Sequence, residues 1–163
     1  MSSVAVVTDS TAMLPSSDGV PQDGGAGGPG ALTVVPLKVI VDGRSLADGV
    51  EVTSAEVAAV LGAGRPATTS RPAPALFAET YRRLAGQGYR GVVSVHLSAD
   101  LSGTVDAARQ AARDVAGEIE VQVVDSRSLA TGLGHAVLAA TRAAASGATA
   151  DEVARVATRR EIG

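Results

Sequence analysis

The sequence predicts an α/β fold, a mostly parallel, doubly wound sheet flanked by helices. Two observations predict it. Short runs rich in Val, Ile and Leu have the length and composition of buried strands, and they lie at residues 4–7, 33–41, 91–97 and 119–124. Segments with apolar residues at helical spacing alternate with these runs. With 163 residues and 45% hydrophobic content, the chain can bury the core of one domain, predicted over residues 1–163.

The first part of the chain contains two predicted strands and a loop. The strand at residues 4–7 ends in the polar turn Thr8–Thr11. Residues 16–30 contain six glycines, and a composition this poor in apolar side chains predicts a mobile surface loop. Pro36 lies within the second strand and has no N–H to donate, so we expect that strand at a sheet edge or with a bulge. A capping box at residues 53–56 predicts a short helix through Leu61.

Residues 65–74 contain three prolines and the hydroxyl side chains of Thr68, Thr69 and Ser70. Proline cannot continue a helix, so this segment is predicted to be stiff and extended, with its hydroxyls in fixed positions. Those hydroxyls either bind a ligand or close turns. A helix is predicted over residues 75–84, with Phe77 and Tyr81 paired at i,i+4 and Gly86 as its C-cap.

The central strand at residues 91–97 runs into a hydroxyl-rich turn, Ser98–Thr104, and then into a helix. The first backbone N–H groups of a helix have no partner inside it, so this turn could bind an anionic head group. The alternative, which the spacing favours, is that Ser102 or Thr104 caps the helix.

The last predicted strand, residues 119–124, ends at Asp125. Gly132 and Gly134 are predicted to precede an Ala-rich helix that ends near residue 145, and a capping box at residues 149–152 predicts a final helix. The carboxyl ends of parallel strands meet at one edge of a sheet. We therefore expect the three polar turns to share that edge: Thr8–Thr11, Ser98–Thr104 and Asp125–Ser128.

Composition argues against several kinds of function. Aromatic residues are only 2% of the chain, which disfavours base stacking, and 14 basic residues scattered among 17 acidic ones disfavour nucleic acid as a partner. The lack of cysteine removes thiol chemistry and cysteine metal sites. The first residues carry no positive charge and no apolar run approaches the ~20 residues of a membrane span, so a cytoplasmic protein without a membrane span is expected.

The sequence contains no assembled catalytic group. Asp9 and Asp125 could serve in acid–base catalysis or bind a metal, but neither has a His or carboxylate neighbour at ligand spacing, which favours turn roles. His96 could accept a phosphoryl group, although a hydrogen-bonded core histidine is the favoured interpretation. No phosphate-binding loop is present. The residues alone therefore predict no catalytic residue and no metal site.

Several motifs, in this order and spacing, resemble the DegV family, the fatty-acid-binding proteins that serve as acyl-carrying subunits of bacterial fatty acid kinase. The motifs are Thr8-Asp9-Ser10-Thr11, Val35-Pro36-Leu37, Thr69-Ser70-Arg71-Pro72, His96-Leu97-Ser98 with Leu101-Ser102-Gly103-Thr104, and Val124-Asp125-Ser126 with Gly132-Leu133-Gly134.

The resemblance implies that the chain binds a long-chain fatty acid such as palmitate, and that Thr69 and Ser98 hold its carboxyl group. Ser70 and the turn of Ser102, Gly103 and Thr104 would lie close by. It further implies that a partner, the catalytic subunit of a fatty acid kinase, phosphorylates the carboxyl group, so that the chain does no chemistry and needs no cofactor. A role in lipid transport or fatty acid metabolism follows.

The chain departs from the family pattern at three points. Arg71 stands in place of a glutamine, Ala99 stands in place of a second serine, and the C-terminal domain that covers the acyl tail is expected to be absent. Two alternatives come from other classes. One is a phosphotransfer enzyme that uses His96, since dihydroxyacetone kinase and mannose-type phosphotransfer domains have similar α/β layers; the other is a truncated fragment that only docks on a kinase subunit.

Overall fold

The computed structural model describes residues 4–12, 31–41, 43–47, 59, 63–64, 67–70, 73–100, 103–128 and 130–158. Its strands are β1 (Val4–Asp9), β2 (Leu32–Val35), β3 (Lys38–Val41), β4 (Arg44–Ala47), β5 (Ala67–Ser70), β6 (Gly91–His96) and β7 (Glu120–Asp125). Its helices are α1 (Pro74–Gly86), α2 (Thr104–Asp114), α3 (Ala130–Ala145) and α4 (Ala150–Thr158). The loop predicted at residues 16–30 and the helix predicted at residues 53–61 lie outside the described residues, apart from residue 59.

The main sheet has four strands in the order β2-β1-β6-β7, and every neighbouring pair is parallel. Helices α1 and α2 cover one face of the sheet, and α3 and α4 cover the other. The predicted doubly wound α/β fold is therefore confirmed. Burial on both faces explains the mainly apolar runs of β1 and β6, whose residues are all buried, whereas the outer strand β7 is only partly buried.

Each face of the main sheet packs against its own hydrophobic cluster, because successive side chains of a strand point to opposite faces. On the α1/α2 face the buried cluster includes Ala5, Val7, Val35, Phe77, Tyr81, Val92 and Ala108. On the α3/α4 face it includes Val4, Val6, Leu32, Val93, Val95, Leu133 and Val137.

The predicted strand at residues 33–41 is in fact two strands in two sheets. It breaks at Pro36 and Leu37, after which β3 pairs antiparallel with β4 and β5 in a small sheet of order β4-β3-β5. Pro36 has no N–H for a strand ladder, and the N–H of Leu37 donates instead to Ser10 Oγ at 3.0 Å. The expected edge position holds for β2, an outer strand of the main sheet, but not for β3, which is the middle strand of the small sheet.

Helix ends differ from the predictions in two places. Helix α1 continues through Gly86, and the glycine with a left-handed backbone is Gly88 (φ 98°), so Gly86 is not the C-cap. Helix α3 begins at Ala130, which places Gly132 and Gly134 inside the helix rather than before it. The predicted start of α4 is confirmed, and one of the two bonds of the capping box is present, since the N–H of Glu152 donates to Thr149 Oγ1 at 3.2 Å.

Candidate functional site

The carboxyl ends of β1, β6 and β7 lie side by side along one edge of the main sheet, which we call the carboxyl edge. A polar turn follows each of these three strands. β1 ends at Asp9, β6 ends at His96 and β7 ends at Asp125. His96 and Asp125 are register partners, and a side-chain contact joins His96 to Asp9. The prediction that the three turns share one edge is confirmed.

A buried polar network of Tyr81, Ser94, His96 and Asp9 lies on the α1/α2 face beneath this edge. The Tyr81 hydroxyl is 2.7 Å from Ser94 Oγ, which is 2.6 Å from His96 Nε2. On the other side of the imidazole, Nδ1 is 3.0 Å from Asp9 Oδ2. All four residues are 0% exposed. Buried polar groups must be hydrogen-bonded to be tolerated, and this network meets that requirement for each of its members.

The Asp9 carboxylate accepts hydrogen bonds from three further groups. These are the N–H of Thr11 (2.9 Å), the hydroxyl of Thr11 and the N–H of Leu97 (3.3 Å). Burial raises the pKa of Asp9, but the hydrogen bonds from His96 and Thr11 outweigh burial and lower that pKa below its ordinary value of 3.8. Asp9 is therefore ionised at neutral pH.

The sequence-based statement that Asp9 has no neighbouring histidine is wrong. The two residues are separated by 87 positions in the sequence, but β1 and β6 are adjacent strands. The turn role is correct as far as it goes, since Asp9 binds the N–H of Thr11. Ser94 and Tyr81 were not predicted as members of a polar network, although Tyr81 was expected to pair with Phe77. Their signal was the alternation of β6, which directs Ser94 and His96 to the same face.

His96 is a buried, hydrogen-bonded histidine, as the favoured interpretation predicted. Both ring nitrogens have side-chain partners, and the ring contacts Phe77 edge-on with centroids 5.0 Å apart. A phosphoryl acceptor must reach its donor. This geometry therefore does not favour His96 as a phosphotransfer residue.

Ser98 lies on the carboxyl edge, just after β6, and is 8% exposed. Its backbone N–H donates to the carbonyl of Ser128 at 2.9 Å, which ties the turn after β6 to the turn after β7. Its Oγ accepts a hydrogen bond from the N–H of Asp100 at 3.3 Å. That bond uses only a lone pair, and among the described residues the hydroxyl proton of Ser98 has no acceptor, which leaves it for a ligand.

Asp125 has the turn role that the sequence predicted. Its Oδ1 accepts the N–H of Arg127 at 2.9 Å and the N–H of Ala99 at 3.3 Å. Arg127 adopts a left-handed backbone (φ 55°), which this tight turn requires. Asp125 therefore holds the residue that follows Ser98.

The capping prediction for α2 is wrong for Thr104. Gly103 is the N-cap residue, and the described residues include no side-chain cap hydrogen bond at this end. Thr104 is already the first helical residue and is buried. A residue inside the first turn cannot supply the cap, which comes from the position before it. Ser102 lies outside the described residues.

Thr69 and Ser70 are described through their backbone, in β5. Ser70 pairs with Lys38 and Thr69 pairs with Val39. Lys38 directly follows Leu37, whose N–H donates to Ser10 in the turn after β1. The end of β5 is thereby attached to the turn that also contains Thr11, a ligand of Asp9. The segments that carry Thr69 and Ser98 are both connected to the turn after β1.

Two kinds of feature are not found in the described part of the chain. No cluster of three or more His, Cys, Asp or Glu side chains could hold a metal ion there. Likewise, none of its helices combines the length and apolar character needed to cross a bilayer.

The chain is an α/β protein with a doubly wound parallel sheet, an architecture in which ligands commonly bind beyond the carboxyl ends of the strands. The sequence profile of the DegV family, described as a family of uncharacterised proteins, matches residues 3–161. The chain belongs to the DegV family.

Relatives and solved structures agree with this membership. A DegV domain-containing protein of Streptomyces coelicolor is 47% identical over 160 residues, which are 98% of this chain and 53% of the relative. A DegV family protein from Thermus thermophilus, described by its fatty acid binding, is 32% identical with a TM-score of 0.77, over 95% of this chain and 53% of that one. DegV from Bacillus subtilis, described as a fatty acid binding protein, is 25% identical with a TM-score of 0.82, over 96% and 53%. The chain thus spans about half the length of these proteins.

Proposed function

We propose that this chain binds a long-chain fatty acid such as palmitate, with the carboxylate at the carboxyl edge. The observation that carries the proposal is the buried hydroxyl of Ser98, whose proton is available at the edge to which the Thr69 segment is also attached. DegV structures of similar fold are described as fatty acid binding proteins. In this proposal Thr69 and Ser98 donate to the carboxylate, and Ser70, Ser102, Gly103 and Thr104 complete its surroundings.

The acyl tail supplies most of the binding energy. Each buried methylene contributes about 0.8 kcal/mol, whereas a hydrogen bond to a charged group contributes about 1.5–3 kcal/mol. A carboxylate needs a few hydrogen-bond donors rather than a catalytic dyad. The chain therefore carries its ligand without chemistry of its own and without a cofactor.

A direct test measures the affinity for palmitate of the full chain and of two variants, Ser98→Ala and Thr69→Val. Each variant loses one charge-assisted hydrogen bond, so its affinity should fall roughly 10- to 100-fold. Methyl palmitate should lose less affinity than palmitate does in the variants, because its uncharged ester accepts weaker hydrogen bonds than a carboxylate. Ser146→Ala and Thr158→Val are controls for the loss of a hydroxyl away from the carboxyl edge, since both hydroxyls are exposed and donate to the carbonyl three residues earlier. A parent that does not bind palmitate, or variants that bind it as the parent does, would contradict the proposal.

The role that follows is presentation of the carboxyl group to the catalytic subunit of a fatty acid kinase, in cytoplasmic lipid transport or fatty acid metabolism. The test combines the chain, palmitate, ATP and such a subunit. Acyl phosphate should form only in the complete mixture. Acyl phosphate, or phosphohistidine at His96, from the chain and ATP alone would favour an enzyme instead.

A further inference from the structure

We propose that Asp9, His96, Ser94 and Tyr81 are positioning residues, which hold Ser98 and the segment of Thr69 in the arrangement that a carboxylate requires. The inference rests on the proposed function and adds residues that do not themselves touch the ligand. It is carried by the hydrogen bonds that leave the buried polar network at its two ends.

The hydrogen bonds of the network have one consistent direction. Asp9 is ionised and accepts, so His96 Nδ1–H donates to it and Nε2 is left as an acceptor for the Ser94 hydroxyl. The Tyr81 hydroxyl then donates to Ser94 Oγ. Burial raises the pKa of Tyr81, which keeps this phenol protonated. In the opposite direction the Tyr81 proton would lack an acceptor among the described residues.

One end of the network fixes the turn that carries Ser98. Asp9 Oδ2 accepts both His96 Nδ1–H and the N–H of Leu97, the residue before Ser98. Asp9 Oδ1 accepts two bonds from Thr11. A single carboxylate therefore joins the turn after β6 to the turn after β1.

The other end of the network fixes α1, the helix that follows the Thr69 segment. Tyr81 lies on α1, and Phe77, one turn earlier, contacts the His96 ring. Helix α1 begins at Pro74, which follows β5 and its last residue, Ser70, after three residues. Removing one hydroxyl from the network loosens this helix relative to β6 and, through it, the two groups that hold the carboxylate.

Hydrogen bonds within and around the network also compensate the negative charge of Asp9. The two oxygens of Asp9 take hydrogen bonds from Thr11, His96 and Leu97, so the buried anion is compensated where it lies. A second carboxylate can then approach the same edge without facing an uncompensated one.

The experiment compares Tyr81→Phe and Ser94→Ala with Thr8→Val in the full chain. Thr8 is the matched control, because its buried Oγ1 donates to the carbonyl of Val95 (2.8 Å) between the same two strands but outside the network. For Tyr81→Phe and Ser94→Ala we expect palmitate affinity to fall about 3- to 10-fold, with methyl palmitate affinity changed less than about 2-fold. Thr8→Val should leave the ratio of the two affinities unchanged.

Nitrogen-15 NMR gives a second readout that needs no lipid. The ring nitrogens of His96 should show protonation at Nδ1, and Tyr81→Phe should shift the amide signals of Ser98 and Thr69 while Thr8→Val does not. If these signals stay in place, or if Thr8→Val changes the affinity ratio equally, the positioning role is overturned. If the parent fails to bind palmitate, the proposed function fails, and the NMR signals still decide the positioning role.

Discussion

The two faces of the main sheet are built from the same four strands but have different chemistry. On the α3/α4 face the hydrophobic cluster consists of Val, Leu and Ala, and the polar side chain that β1 adds on this face is Thr8, whose hydroxyl donates to the carbonyl of Val95. On the α1/α2 face, similar aliphatic side chains give way near the carboxyl edge to Ser94, His96 and Asp9. Strand alternation confines these polar groups to one layer. The difference separates a face that mainly stabilises the fold from one that also orders the edge.

The aromatic residues follow the same division. The one phenylalanine and both tyrosines of the chain, Phe77, Tyr81 and Tyr89, belong to the cluster on the α1/α2 face. Phe77 and Tyr81 stack with centroids 6.1 Å apart. Aromatic rings can border aliphatic and polar neighbours together, and a tyrosine adds a hydroxyl. They occur on the face that has polar groups to accommodate.

The largest loss of unfolding free energy is expected from Asp9→Asn, which removes the buried negative charge of the α1/α2 face. The change removes the carboxylate and leaves amide N–H groups facing the donors of Thr11, His96 and Leu97. Leaving buried donors without their charged acceptor costs about 1–3 kcal/mol of unfolding free energy for each donor that finds no new partner, which urea denaturation measures. Asp125→Asn is the control: its carboxylate is half-buried and has no histidine partner, so a loss of about 1 kcal/mol is expected.

The difference in stability between the parent and Asp9→Asn should depend on pH. The pKa of Asp9 in the folded state lies below its ordinary value of 3.8, so its ionised form stabilises the fold above pH 3.8. That contribution is lost as the pH falls further, through the folded-state pKa. Urea midpoints measured from neutral to acidic pH should therefore bring the parent and Asp9→Asn closer together below pH 3.8. A gap that stays constant would contradict the assignment.

The aliphatic face is tested by Leu133→Ala. Leu133 is fully buried on α3, and its truncation leaves a cavity that costs about 3 kcal/mol, within the usual range of 2–5 kcal/mol. Leu138→Ala on the same helix is the control, because this side chain is only half-buried and should cost about 1 kcal/mol. The comparison of the faces predicts that Leu133→Ala lowers stability without changing the ratio of palmitate to methyl palmitate affinity. A changed ratio would mean that the aliphatic face also orders the edge.

A smaller effect is expected from Ser94→Ala, about 1–3 kcal/mol, because the change leaves Tyr81 and His96 without their shared partner. Adding Tyr81→Phe removes the Tyr81 hydroxyl, one of the two groups that Ser94→Ala leaves without a hydrogen-bond partner. The double variant should therefore lose less stability than the sum of the single variants, by about 0.5–1 kcal/mol in urea denaturation. Simple additivity would show that the hydroxyl groups do not act together.

Local patterns in the sequence predicted much of the fold. The apolar runs of β1, β6 and β7, the helical spacing of α1 and α2 and the capping box of α4 depend on neighbouring residues, and they agree with the structure. The small sheet was missed because β3 pairs with β5, and such a pairing depends on residues distant in the sequence. Pro36 lies at the break between β2 and β3, but the sequence predicted only an edge position or a bulge there.

The candidate site was less predictable for the same reason. The position of Ser98 at the end of β6 follows from local pattern and strand direction, and the histidine was correctly expected in the core. The contact between Asp9 and His96 requires that β1 and β6 be neighbours, which no local pattern states. The capping prediction for α2 was also wrong, because Gly103 occupies the N-cap position where a hydroxyl side chain was expected.

The smallest effect is expected at the surface of the polar face, where Arg82 of α1 pairs with Glu118 at 3.0 Å. Both side chains are about half exposed (51% each), so water and salt screen the pair and two long side chains lose freedom in forming it. Arg82→Ala should change the unfolding free energy by less than about 0.5 kcal/mol, and by less still in 1 M salt. Arg109→Ala is a control of similar exposure, since Arg109 lies 3.9 Å from Asp106 within one helix. A loss above about 1 kcal/mol for Arg82→Ala alone would show that exposed ion pairs also contribute to the difference between this face and the aliphatic one. The comparison of the two faces places it in the interior, with Asp9 and its partners.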